Sequence, residues 1–154
     1  MSQLQVRMVR LDPMRVICFS GFGSGPEEIA LKKLRDWSDV HGVQGRVFGF
    51  NNPNPALGSP NYGYDVWMAL PEAVHPEEGE GQLLDFAGGA YAVMRCAVHD
   101  PGKDIPAAWQ ALASWAEQNG YELGQHQWLE EQMDFPSVVD GQDFTLDLYL
   151  PIKA

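Results

Sequence analysis

Cysteine is scarce in this chain, with only Cys18 and Cys96 among 154 residues. Two thiols without metal-ligand spacing exclude a disulfide framework, so both are expected to be reduced, small and buried. Basic residues are also few, 10 Lys and Arg against 21 Asp and Glu, for a formal net charge of −11. Nucleic acid binding rests on neutralising phosphates, and no basic stripe runs through the sequence, so direct nucleic acid binding is disfavoured. An acidic surface favours cationic partners, although its commonest effect is solubility. No apolar run approaches the roughly 20 residues that a membrane span requires. The opening "MSQLQVRMVRL" alternates from the start and lacks a signal-peptide core. These absences predict no membrane contact and a cytoplasmic address. The remaining composition, 45% hydrophobic and 20% charged, is that of one ordinary globular domain.

The usual catalytic constellations are missing too. His41, His75, His99 and His126 are scattered without i,i+4 spacing, so neither a metal nor a cofactor is expected. No serine elbow or Cys–His arrangement occurs. "GFGSGPEE" (21–28) sets glycines before a helix start but lacks the Lys-Ser/Thr of a phosphate loop. Glu27 and Glu28 stand where a phosphate would sit, which makes the segment a turn.

What is present is a regular succession of elements. Strands are expected at 3–10, 15–22, 46–51 and 64–70, with a helix from Pro26 through Ile29, Leu31, Leu34 and Trp37 to a stop at Gly42. After the polar stretch "PEAVHPEEGEGQ" the pattern restarts. A strand over 83–98, broken or bulged at Gly88-Gly89, precedes a helix from Ile105 to Asn119, then strands at 126–135 and 144–150. Leu34-x-x-Trp37-x-x-x-x-Gly42 recurs as Leu112-x-x-Trp115-x-x-x-x-Gly120, and Cys18 and Cys96 share that offset of 78. Leu70-Pro71 recurs as Leu150-Pro151, and Phe48 aligns with Trp128, at an offset of 80. The fold class expected is therefore α+β: a duplicated strand–helix–strand–strand unit, with pseudo-repeats at about 3–71 and 83–152. These would form one mostly antiparallel sheet with both helices on one face.

Alternation along the strands then divides the side chains. Tyr64, Val66, Met68 and Leu70 are expected to meet the helices, as are Phe144, Leu146, Leu148 and Leu150. The opposite face collects Phe48, Phe50, Trp67, Trp128 and Tyr149, with Asp65, Asp147 and Glu130 among them. In "HQWLEEQMDF" the same parity sets Trp128, Glu130 and Gln132 outward, and makes Glu131 a polar residue near the end of a core-facing row. Such a face is either a second small core beneath loop 51–63 or a ligand pocket. Acids among large rings lose hydration and favour a lipophilic cation, which supports the pocket.

Several segments resemble the GyrI-like small-molecule-binding domains, which also occur as effector-binding domains of AraC- and MerR-type regulators. "FAGGAYAVMR", "VFGFNNPNP", "YDVWMALP" and "LDLYLPIK" carry the likeness, which covers about Gln5 to Ile152. The resemblance implies a ligand cleft on the sheet face away from the helices. It also implies a Glu two residues before a Tyr on the penultimate strand; Glu130 takes the first position and Gln132 replaces the Tyr. The fused regulators carry an N-terminal helix-turn-helix unit, whereas this chain enters its first strand by residue 4, so regulation is expected to need a partner.

Three activities are weighed. The first is a stand-alone binder of hydrophobic or cationic small molecules, with Glu130 as charge partner, ring walls from Trp128, Trp67, Phe48, Phe50 and Tyr149, and Asp65, Asp147, Gln132 and Tyr91 around them. The second is a hydrolase of strained electrophiles using Glu130, with Tyr149 or Tyr91 supplying a hydroxyl. The third is an acidic module that inhibits a nucleic-acid enzyme through a basic protein partner. Gln132 favours binding over catalysis.

Overall fold

The computed structural model describes residues 4–137 and 143–153. Ten elements follow in chain order: β1 (Val6–Leu11), β2 (Met14–Gly23), α1 (Pro26–His41), β3 (Val47–Asn51), β4 (Tyr62–Ala69), β5 (Gln82–Phe86), β6 (Gly89–Val98), α2 (Pro101–Gln118), β7 (Leu129–Gln132) and β8 (Phe144–Pro151). Residue 3, which the first expected strand includes, lies outside the described residues. The class is α+β, and the strand pairs within each unit are antiparallel.

The chain divides into two compact units. One is Pro13–Phe86; the other combines β1 with the chain from Ala87 onward. The expected strand over 83–98 is thus two strands. Positive φ at Gly88 (80°) and Gly89 (152°), where L side chains are strained, separates them. β5 pairs with β2, while β6 pairs with β1, so the first strand of each expected repeat joins the other repeat's sheet. The resulting strand orders correspond, β5-β2-β4-β3 in one unit and β1-β6-β8-β7 in the other.

In the first of these units α1 begins with Pro26, has Glu27 and Glu28 in its first turn, and ends at Gly42 in the left-handed region (φ 64°). Its buried row of Ala30, Leu31, Leu34, Trp37 and Ser38 packs on β2 and β4. In the other unit α2 brings Leu112 and Ala116 onto Ala92, Met94 and Cys96 of β6 and Leu146, Leu148 and Leu150 of β8. Asp104 reaches back to accept the backbone N–H groups of His99 and Asp100 at 2.8 and 2.9 Å, satisfying donors at the helix start. The helix-facing rows of β4 and β8 are those the alternation assigned.

Both cysteines are free and buried. Burial and the Asp65 charge push the Cys18 thiol up to about 11, and burial followed by Asp104 raises Cys96. At neutral pH both are inert thiols.

Candidate functional site

Each unit has a sheet face turned away from its own helix. In the Pro13–Phe86 unit, Phe48 pairs with Trp67 and Phe50 with Asp65, so these four share that face as expected. The Trp67 ring meets Phe50 edge-on at 5.0 Å and Phe86 at 5.3 Å. The Arg46 guanidinium lies 5.0 Å from the Phe48 centroid, a cation–π contact. Asp65 is not an uncompensated acid. Its Oδ1 accepts from Ser20 Oγ at 2.6 Å and its Oδ2 from Asn52 Nδ2 at 2.9 Å.

In the unit carrying α2, Tyr149 and Asp147 share the corresponding face, again as expected, and Tyr91 stands with them. The tyrosine rings meet edge-on at 5.5 Å. Tyr91 Oη donates to the Gln127 carbonyl at 2.6 Å, and its phenol is pushed well up by burial and by Tyr149. The His126 ring stands edge-on to Tyr91 at 4.8 Å, and its Nε2 lies 2.7 Å from the Ala90 carbonyl oxygen. Glycines make room for that ring: a Cβ at Gly89 or Gly124 would come within 2.6 or 2.5 Å of it.

Asp147 is fully buried, and its partners come from β6 beside it and from β1 one strand further out. Arg7 of β1 donates to Oδ2 at 2.6 Å, and Arg95 of β6 donates to Oδ1 at 2.9 Å and to Oδ2 at 3.2 Å. Burial alone would raise this carboxyl. The hydrogen bonds and charges of Arg95 and Arg7 together outweigh it and hold Asp147 below the usual carboxylate range. The expected pocket acid is therefore a closed ion pair.

The principal correction concerns β7. Glu130 pairs with Leu148 and Gln132 with Leu146, and both leucines belong to the core under α2. Glu130 Oε2 accepts from Trp109 Nε1 of α2 at 3.1 Å, and the Trp128 ring lies 5.2 Å from Trp109. Trp128, Glu130 and Gln132 are thus on the helix side, not the side of Tyr149. The parity failed because β7 is only four residues long and Trp128 precedes it. A one-residue phase error exchanges every side chain between faces. The aligned pairs Phe48/Trp128 and Cys18/Cys96 show the same slip, each placing its two members on opposite sides.

The residue that takes the expected place is Glu131. It pairs with Asp147 on the face of the tyrosines, is 8% exposed, and accepts a hydrogen bond from Tyr149 Oη at 2.7 Å. This buried carboxylate, with a phenol fixed on it and Tyr91 beside that phenol, is the candidate site. Glu131, Phe86, Trp109, Arg7 and Arg95 are absent from the expected set. Only Glu131 had a signal, its spacing of two from the apolar Leu129.

The profile of the GyrI-like small molecule binding domain matches residues 4–153. The chain belongs to that family. No curated protein matches it in sequence. Among solved structures, the EcmrR C-terminal domain superposes with a TM-score of 0.72 at 14% identity, covering 99% of both chains. A hydrolase encoded by lin2189 of Listeria innocua gives 0.69 at 12%, covering 98% of this chain and 93% of that one. SAV2435 bound to tetraphenylphosphonium gives 0.55 at 10%, covering 98% and 95%. At these identities the likeness is one of fold.

Among the described residues no helix is long and apolar enough to cross a membrane, and no cluster of His, Cys, Asp and Glu has metal-binding geometry.

Proposed function

We propose that this GyrI-like domain binds lipophilic small molecules carrying a positive charge, and that Glu131 is the acid that selects them. The observation behind this reading is the Tyr149–Glu131 hydrogen bond, which fixes a buried carboxylate beside two tyrosine rings. Removing a carboxylate from water is costly unless a partner compensates it. A cation whose charge is spread over apolar groups adds to the attraction that Arg95 already exerts on this acid and loses little hydration of its own, while ring faces attract it further. Tetraphenylphosphonium, the molecule bound to SAV2435, is a cation of this class.

The test is a titration of the full chain with tetraphenylphosphonium, followed by tryptophan fluorescence. Glu131→Gln is expected to raise Kd about tenfold, the scale of one charge-assisted contact. Tetraphenylborate, of similar size and opposite charge, should bind wild type more weakly, and the gap should narrow in the variant. Equal affinity of wild type and Glu131→Gln for the phosphonium would overturn the reading.

A second reading draws on the same hydrogen bond. A carboxylate and a phenol in contact can act as base and acid. Glu131 takes a proton from the attacking water, and Tyr149 turns its O–H from Glu131 to the opening ring of a strained electrophile. The proton on Glu131 then passes back to the Tyr149 oxygen, restoring both groups. Incubation with an epoxide, read by mass spectrometry, should then show a product heavier by one water that Glu131→Gln does not form. Saturable binding without product leaves the binder alone standing.

A further inference from the structure

One row of side chains crosses three strands of the unit that carries α2. Arg95 of β6 stands directly opposite Asp147 of β8, and Asp147 directly opposite Glu131 of β7. Paired residues of a ladder share a side, and neighbouring strands lie roughly 4.8 Å apart, so all three face away from α2 within two strand spacings. The Arg95 side chain is 59% exposed, yet its head is pinned. Nε at 2.9 Å and Nη2 at 3.2 Å both hold the buried carboxylate of Asp147. That grip draws the guanidinium into the row, toward Glu131. The hydrogen bond and charge of Asp147 raise the Arg95 guanidinium above its ordinary value, and the charges of Glu131 and Asp134 raise it further. Arg7 reaches Asp147 from β1, so two guanidinium groups balance the two carboxylates of the row.

A cation that approaches Glu131 therefore meets a group of its own sign in the same row. One charge spread over apolar groups still gains the ring contacts and the nearest carboxylate. A second charge lies farther from Glu131, where the field of Arg95 offsets that of the acids. We infer that Arg95 is a specificity-determining residue of this face: held on Asp147, it limits the selection exerted by Glu131 to a single positive charge, so that a dication draws little extra attraction from the row. The inference rests on the reading of Glu131 as the selecting acid and adds the residue that bounds its selectivity.

Ethidium and propidium test it, because they share one phenanthridinium ring system and carry one and two positive charges. Each is titrated into the full chain and followed by dye fluorescence. Arg95→Gln should tighten ethidium about threefold, the scale of one partly screened charge at this range, and propidium about tenfold, since twice the charge squares the factor. A merely structural role would weaken both dyes. Arg95→Lys keeps the charge and should stay within about 1.5-fold of wild type for either dye. Arg10 lies on β1 on the side opposite Arg7. Arg10→Gln changes the net charge equally and should also stay within about 1.5-fold, which separates the row from the charge of the whole chain. The inference is overturned if Arg95→Gln tightens neither dye, if it tightens propidium no more than ethidium, or if Arg95→Lys or Arg10→Gln has the same effect. Should Arg95→Gln fail to fold, Arg7→Gln replaces it, because Arg7 holds the same carboxylate. It should tighten propidium more than ethidium by smaller factors, and equal or absent gains overturn the inference. If Glu131→Gln leaves phosphonium affinity unchanged, the Glu131 reading falls and this inference with it. Weaker phosphonium binding in Glu131→Gln beside unchanged dye binding in Arg95→Gln removes this inference alone.

Discussion

The two units share a strand order and a helix on one side, yet they neutralise the acids of the opposite side differently. Around α2 the central acid, Asp147, is met by two arginines, Arg95 from the adjacent β6 and Arg7 from β1 beyond it. Around α1 the acid at the matching strand, Asp65, is met by a hydroxyl and an amide. One arrangement is an ion pair that depends on charge at both ends; the other is a neutral-donor cradle. The faces differ in what surrounds those acids: a second carboxylate, Glu131, on one, and the rings of Phe50, Trp67 and Phe86 on the other.

That contrast predicts unequal costs. Asp147→Asn should destabilise the protein by about 3 kcal/mol, because it leaves two guanidinium groups without their buried partner. Arg7 and Arg95 are half exposed and can rehydrate, which keeps the loss from being larger. The deficit should also depend on pH. Asp147 titrates below its unfolded value near ~3.9, so its contribution is complete above that value and is lost as pH falls through the folded pKa. Urea unfolding should show a deficit that shrinks between about pH 5 and pH 2. Tyr149→Phe should cost about 1.5 kcal/mol by removing the phenol from Glu131. Asp65→Asn should cost about 1 kcal/mol, since the amide oxygen still accepts one of the two bonds. A loss at Asp65 equal to that at Asp147, or a deficit at Asp147 independent of pH, would break the comparison.

Long periodic segments were legible in the sequence because their pattern repeats. The buried row of α1 and the stop at Gly42 follow from 3.6-residue spacing over four turns, and the inward rows of β4 and β8 from alternation over eight residues each. The faces of Phe48, Phe50, Trp67 and Tyr149 came with them. The orientation of β7 did not, because three of its four residues are buried and both of its faces are covered. The wholly polar row, Glu130 and Gln132, is the one under α2, so alternation points the wrong way there and only the register against β8 decides. The arginines on Asp147 were equally hidden, since Arg7 is 140 positions away in sequence and Arg95 is 52 away. The exchange of β1 and β5 was hidden for the same reason, since nothing local states which strand a strand will pair with.

The smallest predicted effect sharpens the assignment most. Glu130 and Glu131 are adjacent, chemically identical and on opposite sides of one strand. Glu130→Gln keeps an oxygen that can accept from Trp109 Nε1, so its stability cost should be about 0.5 kcal/mol. Its effect on phosphonium binding should stay below about twofold, because a side chain under α2 contributes no contact to the tyrosine face and only a screened charge. Measured beside Glu131→Gln in the same fluorescence titration, the pair isolates side from charge: both variants remove one negative charge within one residue of each other. If Glu130→Gln weakened binding as much as Glu131→Gln, long-range charge and not the buried Glu131–Tyr149 contact would govern selection. The two faces of β7 would then be functionally equivalent despite their opposite surroundings.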